Sequence, residues 1–600
     1  MNTFLRKAEY YGMLEIFDNL YKRSREDKLK GVDLLSLITS RNNILLAYRT
    51  IKGNTGSKTM GTDGLTIEDY KIVDRDKFVE GIQKCFENYK PSAVRRVEIP
   101  KSNGKKRPLG IPTMQDRLIQ QCIKQILEPI CEAKFYNHSY GFRPNRSTHD
   151  AIARCQYLVN RTNLHHVVDV DIKGFFDSVN HTKLLKQLYN IGVKDKRVLT
   201  IINKILKAPI KGVGIPNKGT PQGGILSPLL SNVVLNELDR WIVSQWESIP
   251  TRKEYNFPGN RLHDLKKTHL KRMYIVRYAD DFKVFTDSHQ TAIKIYHAIK
   301  GFLKDRLQLD ISPEKSKVTN IRKKKTLFLG FALRAEIKRK KYVAQTYIAD
   351  EKKEDIVKII RKKIKQITKQ TNPRTVLAYN SYVMGIQNYF IPATQVNQEF
   401  AQIAYRTNKT IYNRLKSIGR YGIPINPNEM YKNRYKNNYR TMNIGGCYLV
   451  PISDVKHKTH MNFKQGKCNY TIEGRKLIEA SYLDYVIKQE IINLQNSVSE
   501  YTSIEYADNR ISKYSMQMGK CAVTNEFLTA DNVHCHHIVP KHMQGTDVFS
   551  NLVVVSKEIH KLIHATHPQT IGRYKKRLKL NEKQLKKINI YRKKCNLEVI

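Results

Sequence analysis

The stretch YIVRYADDFKVF, Tyr274 to Phe285, reads as a strand on its β-branched and aromatic residues, yet two adjacent carboxylates, Asp280 and Asp281, interrupt it. A hairpin turn accounts for Asp at such a place, because Asp favours turns and tolerates unusual backbone angles. The turn does not by itself explain why both flanks suit a half-buried sheet. Two negative charges held side by side repel each other, and a bound cation is the obvious compensation. Two-metal phosphoryl transfer needs a further carboxylate from another segment. HHVVDVDIKGFFDSVNH (165 to 181), read as a strand running into a turn and helix, supplies it. Asp169 and Asp171 share one strand face by the period of two, so spacing does not choose between them. Asp177, in the following turn or helix, is a third candidate.

The whole chain narrows the partners. Its 600 residues suffice for about three to five domains. Lys plus Arg number 106 against 54 Asp plus Glu, a formal charge of +52 and a pI near 9.8, so a polyanion is the expected partner. The charge recurs in KSNGKKRP (101 to 108), IRKKK (321 to 325), IKRKK (337 to 341), IIRKKIKQ (359 to 366) and RYKKRLK (573 to 579). Each run alone suits a solvated helix face; together, with 34 tyrosines available for base stacking, they suit a long nucleic-acid track. Mean hydropathy is −0.53, and no apolar run reaches membrane-spanning length, which argues against a membrane partner. The amino terminus, MNTFLRKAEYYG, has no apolar core of a secretory signal. Nine scattered cysteines, never spaced as CxxC, point to a reduced, intracellular protein that is not secreted.

Strand and helix patterns mix in no strict βαβ order, which predicts an α+β region over 90 to 335. Residues 350 to 420 read as basic helices, 421 to 448 as a linker or irregular basic domain, and a compact His cluster follows after about 515.

RPLGIPT (107 to 113), SYGFRPNRS (139 to 147), DIKGFFD (171 to 177), GTPQGGILSPLLSN (219 to 232), RYADD (277 to 281), SPEKS (312 to 316) and FLGF (328 to 331) occur in that order. Together they resemble the motif series of a group II intron-encoded reverse transcriptase. The resemblance implies a right-hand polymerase with fingers and palm, template-directed nucleotidyl transfer and two Mg2+ ions. It implies that Asp171, Asp280 and Asp281 form the metal-binding triad, with Asp171 and Asp280 the principal ligands. Lys101 and Arg107 would grip the incoming triphosphate, where Arg can bond two oxygens at once. Phe176 would block a ribose 2′ hydroxyl, Gln222 would pack under the nucleotide, and Lys315 would stand near the pyrophosphate. YNSYVMGIQNYF (379 to 390) is similar to the family's thumb, or maturase domain X.

HCHHIVP (534 to 540), Asn551 and EIHKLIH (558 to 564) form a second constellation, with His560 and His564 four apart on one helix face. It resembles an HNH endonuclease, a ββα-metal module. That resemblance implies His536, His560 and His564 as ligands to one divalent cation, His537 as general base, and Asn551 as the residue holding the loop that orients it. The pattern departs from the family in two ways. The two CxxC pairs of many such modules read here as Cys521 with Thr524 and Ser556 with Ile559, so no structural zinc is expected there. Two residues before the first ligand stands His534 rather than an acid.

The expected organisation is an N-terminal extension and start of fingers over 1–89, fingers and palm over 90–345, thumb and domain X over 346–424, a DNA-binding region over 425–510, and the HNH module with a basic tail over 511–600. The expected activity is intron RNA binding, splicing assistance, target DNA nicking and target-primed copying with dNTPs, the protein being a possible homodimer. A splicing maturase with vestigial catalytic domains, a homing nuclease with an RNA-binding domain, and a general or defence-type reverse transcriptase are the alternatives.

Overall fold

A computed structural model describes every residue except 1–2, 71–73, 101–105, 426, 428, 480–489, 491–492 and 495–503. Two compact units emerge, Ile16–Gln465 and Met1–Glu15 with Gly466–Ile600. The division at 465/466 falls inside the 425–510 segment.

At the centre of the larger unit lies an antiparallel four-stranded sheet. Its strands are β3 (His166–Val170), β4 (Tyr274–Tyr278), β5 (Asp281–Thr286) and β6 (Lys317–Asn320), in the order β4-β5-β3-β6. Antiparallel sheets commonly leave one face wet, but β3, β4 and β5 are buried almost throughout, so the buried charged residues they carry, Asp169, Arg277 and Lys283, need partners within the protein. Tyr278 pairs with Asp281, so the β4–β5 connection is a two-residue loop of Ala279 and Asp280. Ala279 has a φ of +56°, as tight hairpin loops demand. The doublet that interrupts the strand pattern therefore is a turn, and the flanking residues are the strands it joins.

A buried ion pair fixes that turn. Arg277 donates through Nε and Nη2 to both carboxylate oxygens of Asp239, at 2.6 to 3.0 Å, and through Nη1 to Asn232 Oδ1 and to the carbonyl of Ala279, both at 2.9 Å. Asp239 and Asn232 lie one and three turns from the carboxyl end of the Ser227–Ser244 helix, which packs against β4. Ser139 lies beside Arg277 in a parallel bridge, with the Tyr140 N–H donating to the Arg277 carbonyl at 2.8 Å. A Cβ on Gly141 would come within 2.2 Å of the Ala279 nitrogen, so only glycine allows this approach. Arg143 completes the frame through paired bonds to Glu132 and bonds to the carbonyls of Tyr136 and Ser139.

Two further sheets flank this one in sequence. β1 (Arg95–Pro100) and β2 (Lys106–Ile111) form an antiparallel hairpin. β7 (Thr326–Phe328), β8 (Phe331–Lys338) and β9 (Lys341–Ile348) form a three-stranded sheet, with Leu329 and Gly330, both at positive φ, as the two-residue β7–β8 loop. Three helices, Asp350–Lys369, Pro373–Phe390 and Val396–Leu415, pack together next, as the basic helical pattern predicts. The Asn-rich segment beyond them is more regular than the sequence suggests. β10 (Arg420–Gly422), β11 (Thr441–Ile444) and β12 (Cys447–Tyr448) make a small sheet. Asn380 and Gln387 hold its edge by bonds to Tyr448, Val450, Pro451 and Ile452.

In the smaller unit, β13 (Val533–His537) and β14 (Leu552–Ser556) pair antiparallel, and the Lys557–His564 helix follows directly, N-capped by Ser556. Its core gathers Val533, Cys535, Leu552, Val554, Ile559, Leu562 and Ile588. Among the described residues, no helix is long and apolar enough to cross a membrane.

Arg277→Met would leave the Asp239 carboxylate buried without a partner and should cost about 3–5 kcal/mol of stability. Urea unfolding of the full chain measures it; a loss of under about 1 kcal/mol, the median of exposed pairs, would show that the pair does not hold the turn.

Candidate active sites and nucleic-acid interface

Register sorts the acidic candidates on and beside the central sheet. Asp169 sits directly opposite Lys283, and Asp171 follows Val170, which sits opposite Phe282. Asp169 is 4 % exposed, salt-bridged to Lys283 at 3.0 Å and bonded by the Thr326 hydroxyl at 2.8 Å. Its lone pairs are occupied by protein. Asp171, two residues nearer the turn, is 41 % exposed at its side chain and meets only Lys315 Nζ, at 3.2 Å, among the ion pairs of the described residues. The structure thus separates two carboxylates that strand periodicity leaves equivalent.

Backbone bonds lock Asp171 in place. Its N–H donates to Ser316 Oγ at 3.1 Å, and its carbonyl accepts from the Ser312 N–H at 2.8 Å. The SPEKS segment is therefore the wall beside Asp171, and it delivers Lys315. Burial pushes the Asp280 carboxyl above the ordinary Asp range, and the Asp171 charge pushes it further; Arg107 opposes both. Burial likewise raises Asp281, opposed first by Lys283, with Asp169, Asp280 and Asp171 adding to the rise. Asp171, Asp280 and Asp281 thus converge at one end of the sheet and repel one another. Their donors are all hard oxygens, and excess negative charge remains after Lys283 and Lys315 are counted, which fits Mg2+.

Of the remaining polymerase candidates, the structure links Arg107 and Lys315 directly to the carboxylates. Arg107 lies on β2, exposed, and its charge reaches Asp280. Lys101 lies outside the described residues. Phe176 is half-buried in the short Phe175–Ser178 helix, and its carbonyl accepts the Thr220 N–H at 2.6 Å. The Gln222 carbonyl accepts the Gly110 N–H, also at 2.6 Å. Gly223, at a φ of +113°, would place a Cβ 2.6 Å from the Gly110 oxygen. The Gly-rich loop thereby laces Phe176 to the β1–β2 hairpin. Asp177 stands exposed on its helix, and the charges acting on Asp280 and Asp281 come from other groups.

The second cluster sits on β13 and the helix after β14. The His560 ring stacks on His534 at 3.5 Å between centroids and lies 5.4 Å from His536 and 4.7 Å from His564. His564 Nε2 is 3.3 Å from His536 Nδ1. Burial holds His534 down at about 4 and His536 and His560 at about 3, and it lowers His564 as well. All four rings are therefore neutral at pH 7, the state that binds metal. His537 points elsewhere: its Nε2 bonds Asp547 Oδ1 at 2.7 Å, and its ring stacks on Tyr506. Asn551 pins the β13–β14 loop, donating to the carbonyls of Val539 and Thr546 and accepting the Val539 N–H.

Sequence reasoning missed Lys283, Arg277 and Asp239, Asp547 and Cys595, whose Sγ is 4.0 Å from His536 Nε2. Lys283 had a signal, since a lysine alternating with Asp281 on a buried strand needs an acid opposite it. Asp547 and Cys595 had none, because loop and tail partners are set by tertiary packing.

A basic groove runs between the Asp350–Lys369 and Val396–Leu415 helices, lined by Arg361, Lys362, Lys365, Lys409 and Arg414. Tyr405 lies in it, 86 % exposed.

Comparison with known proteins bears on this geometry. Residues 99–333 match the family described as reverse transcriptase (RNA-dependent DNA polymerase). Protein YkfC of Escherichia coli is 33 % identical over 321 residues, covering 50 % of this chain and 82 % of that protein. The group II intron-encoded protein LtrA of Lactococcus lactis is 28 % identical over 620 residues, covering 88 % of this chain and 99 % of LtrA. A putative COX1/OXI3 intron 1 protein of Saccharomyces cerevisiae is 26 % identical over 88 % of this chain and 66 % of its own length.

Because the folded-state carboxyls of Asp280 and Asp281 titrate above the ordinary 3.8, the folded chain binds protons there that the unfolded chain has released. Metal-free stability should therefore fall as pH rises from about 4 through the raised values. At neutral pH, Asp280→Asn should raise the Tm of the metal-free protein and flatten this dependence. Asp169→Ala, which strands Lys283, should lower stability by about 3–5 kcal/mol. Thermal melts in chelator decide, and a lower Tm for Asp280→Asn would sink the repulsion argument.

Proposed function

Because the chain belongs to the group II intron-encoded reverse transcriptase family, we propose that it binds its intron RNA, assists splicing, nicks target DNA and copies the intron into cDNA by target-primed reverse transcription. One observation carries the polymerase reading: Asp171, Asp280 and Asp281 act on one another with more negative charge than Lys283 and Lys315 offset, while Asp169 is sealed off by Lys283.

In this reading residues 90–345 are the fingers and palm, 346–424 the thumb and domain X, and 425–510 a DNA-binding region. The primer 3′ oxygen attacks the α-phosphorus of a dNTP; the new P–O bond forms as the bond to the bridging oxygen breaks, and pyrophosphate leaves. Asp171 and Asp280, with Asp281 beside them, would hold two Mg2+, which would lower the pKa of the attacking hydroxyl and balance the charge of the leaving group. The chain's other groups position the substrate. Arg107 and Lys101 orient the triphosphate, Phe176 leaves no room for a 2′ hydroxyl, and the Gln222 loop supports the nucleotide from below. Lys315 neutralises Asp171 between turnovers and stands ready for pyrophosphate. The basic groove with Tyr405 takes intron RNA through phosphate contacts and stacking.

The C-terminal hairpin and helix support an HNH endonuclease over 511–600. His536, His560 and His564 would hold one divalent cation, which would polarise the scissile phosphate. His537, oriented by Asp547, takes the proton of the attacking water. Asn551 keeps that loop in register.

Asp280→Ala should reduce primer extension by at least about 1,000-fold while leaving intron RNA affinity within about twofold, since the loss is of transition-state stabilisation. Retained synthesis in a gel extension assay would end the polymerase assignment. His537→Ala should stop nicking of target DNA by the ribonucleoprotein and spare cDNA synthesis from a supplied primer; undiminished nicking would remove His537 from the chemistry.

A further inference from the structure

The histidine cluster contains a sulfur. Among the described residues, the one group of three or more potential ligands whose donor atoms lie within 4.8 Å of one another is His536, His564 and Cys595. His536 is 1 % and Cys595 6 % exposed. Cys595 arrives there by a specific route. Arg592, 2 % exposed, donates through Nη1 to the carbonyls of Leu562 and Ile563 at 3.0 Å and of Ala565 at 2.7 Å. These are carbonyls at the carboxyl end of the Lys557–His564 helix, which lack helical partners. The lock fixes the end of the Glu582–Lys594 helix against His564, and Cys595 caps that helix. Its Sγ then faces His536 Nε2 at 4.0 Å, while the ring of Tyr591 lies 5.8 Å from that of His536.

We propose that Cys595 is a metal ligand, so that the C-terminal unit holds a borderline divalent cation of the Zn2+ type in a nitrogen–sulfur site, rather than Mg2+. The proposal rests on the endonuclease reading for His536 and His564 and adds to it the identity of the ion. Thiolate and imidazole donors select Zn2+ and disfavour Mg2+, which prefers oxygen and retains its waters. Bonds of about 2.0 Å to nitrogen and 2.3 Å to sulfur set ligand atoms roughly 3.3–3.8 Å apart, so the cluster needs to contract by about an ångström. The thiol gives up its proton on binding; with Cys595 taking the place of His560 in the ligand set, His536, His564 and Cys595 leave a fourth position for water or phosphate. This site is distinct from the zinc of paired CxxC motifs, whose positions here read Cys521, Thr524, Ser556 and Ile559.

Co2+ titrated into the metal-free full-length protein is the probe. A visible d–d spectrum of tetrahedral intensity is expected, with a near-ultraviolet thiolate-to-cobalt charge-transfer band. Cys595→Ser should remove that band and weaken Co2+ binding by at least tenfold. Cys447→Ser, a half-buried thiol of the other unit, should change neither. Cys595→His keeps the test open if the serine variant fails to fold: it should bind Co2+ tightly with no charge-transfer band. Cobalt bound without the band, or a band that survives in both Cys595 variants, overturns the thiolate ligand and leaves a histidine site standing. Failure of the wild type to bind Co2+ at all overturns the thiolate ligand and the histidine metal site together.

Discussion

The guanidinium of Arg277 is the point on which the catalytic end of the sheet depends. It is wholly buried, with five bonds to Asp239, Asn232 and Ala279. Burying such a pair gains little net stability over an apolar equivalent, because desolvation offsets the attraction. What it gives is geometry. The guanidinium is planar, and its bonds run to a helix on one side and to the turn carbonyl on the other. The turn therefore cannot rotate without breaking a buried charge pair. An aliphatic residue at 277 would fill the space and leave Ala279, already at positive φ, without its hydrogen bond to hold it there.

The same sheet face shows how a strained charge arrangement is confined. Asp169, Lys283 and Thr326 form a closed group in which the Asp oxygens are bonded, and Lys283 reaches 3.7 Å toward Asp281. Two residues toward the turn, no such closure exists. The repulsion among Asp171, Asp280 and Asp281 is thus local, and the neighbouring pair screens it from the core. A site built this way is least stable when empty of cation, and binding free energy for Mg2+ comes partly from the relief of that repulsion.

Much of this was legible in the sequence, and the limits have physical causes. The two flanks of Asp280 and Asp281 are strands, the 165–181 stretch is strand, turn and helix, and the helix that carries His560 and His564 lies where their spacing puts it. Local propensity and period decide those elements. The choice between Asp169 and Asp171 was not legible, because it depends on Thr326, a residue 157 positions away that lies over one carboxylate and not the other. The regular sheet between 420 and 448 was hidden by its Asn and Gly content. Its strands are short, and they are held by Asn380 and Gln387 of a distant helix rather than by their own propensity.

The placement of charge separates the two tasks of the molecule. Among the described residues, the ion pairs with both side chains under about a tenth exposed are Arg277–Asp239, Lys283–Asp169 and, close to that limit, Arg143–Glu132. All three frame the turn at 279–280. The surplus of 52 positive charges is spread elsewhere, on exposed faces such as the groove around Tyr405, where single pairs contribute little. Exposed charges respond to ionic strength, with a Debye length of about 8 Å at physiological salt, and buried pairs respond far less. Polyanion binding is therefore governed by salt, while the geometry that orders the carboxylates is insulated from it. A strongly basic protein can in this way change its hold on nucleic acid without moving the groups that do the chemistry.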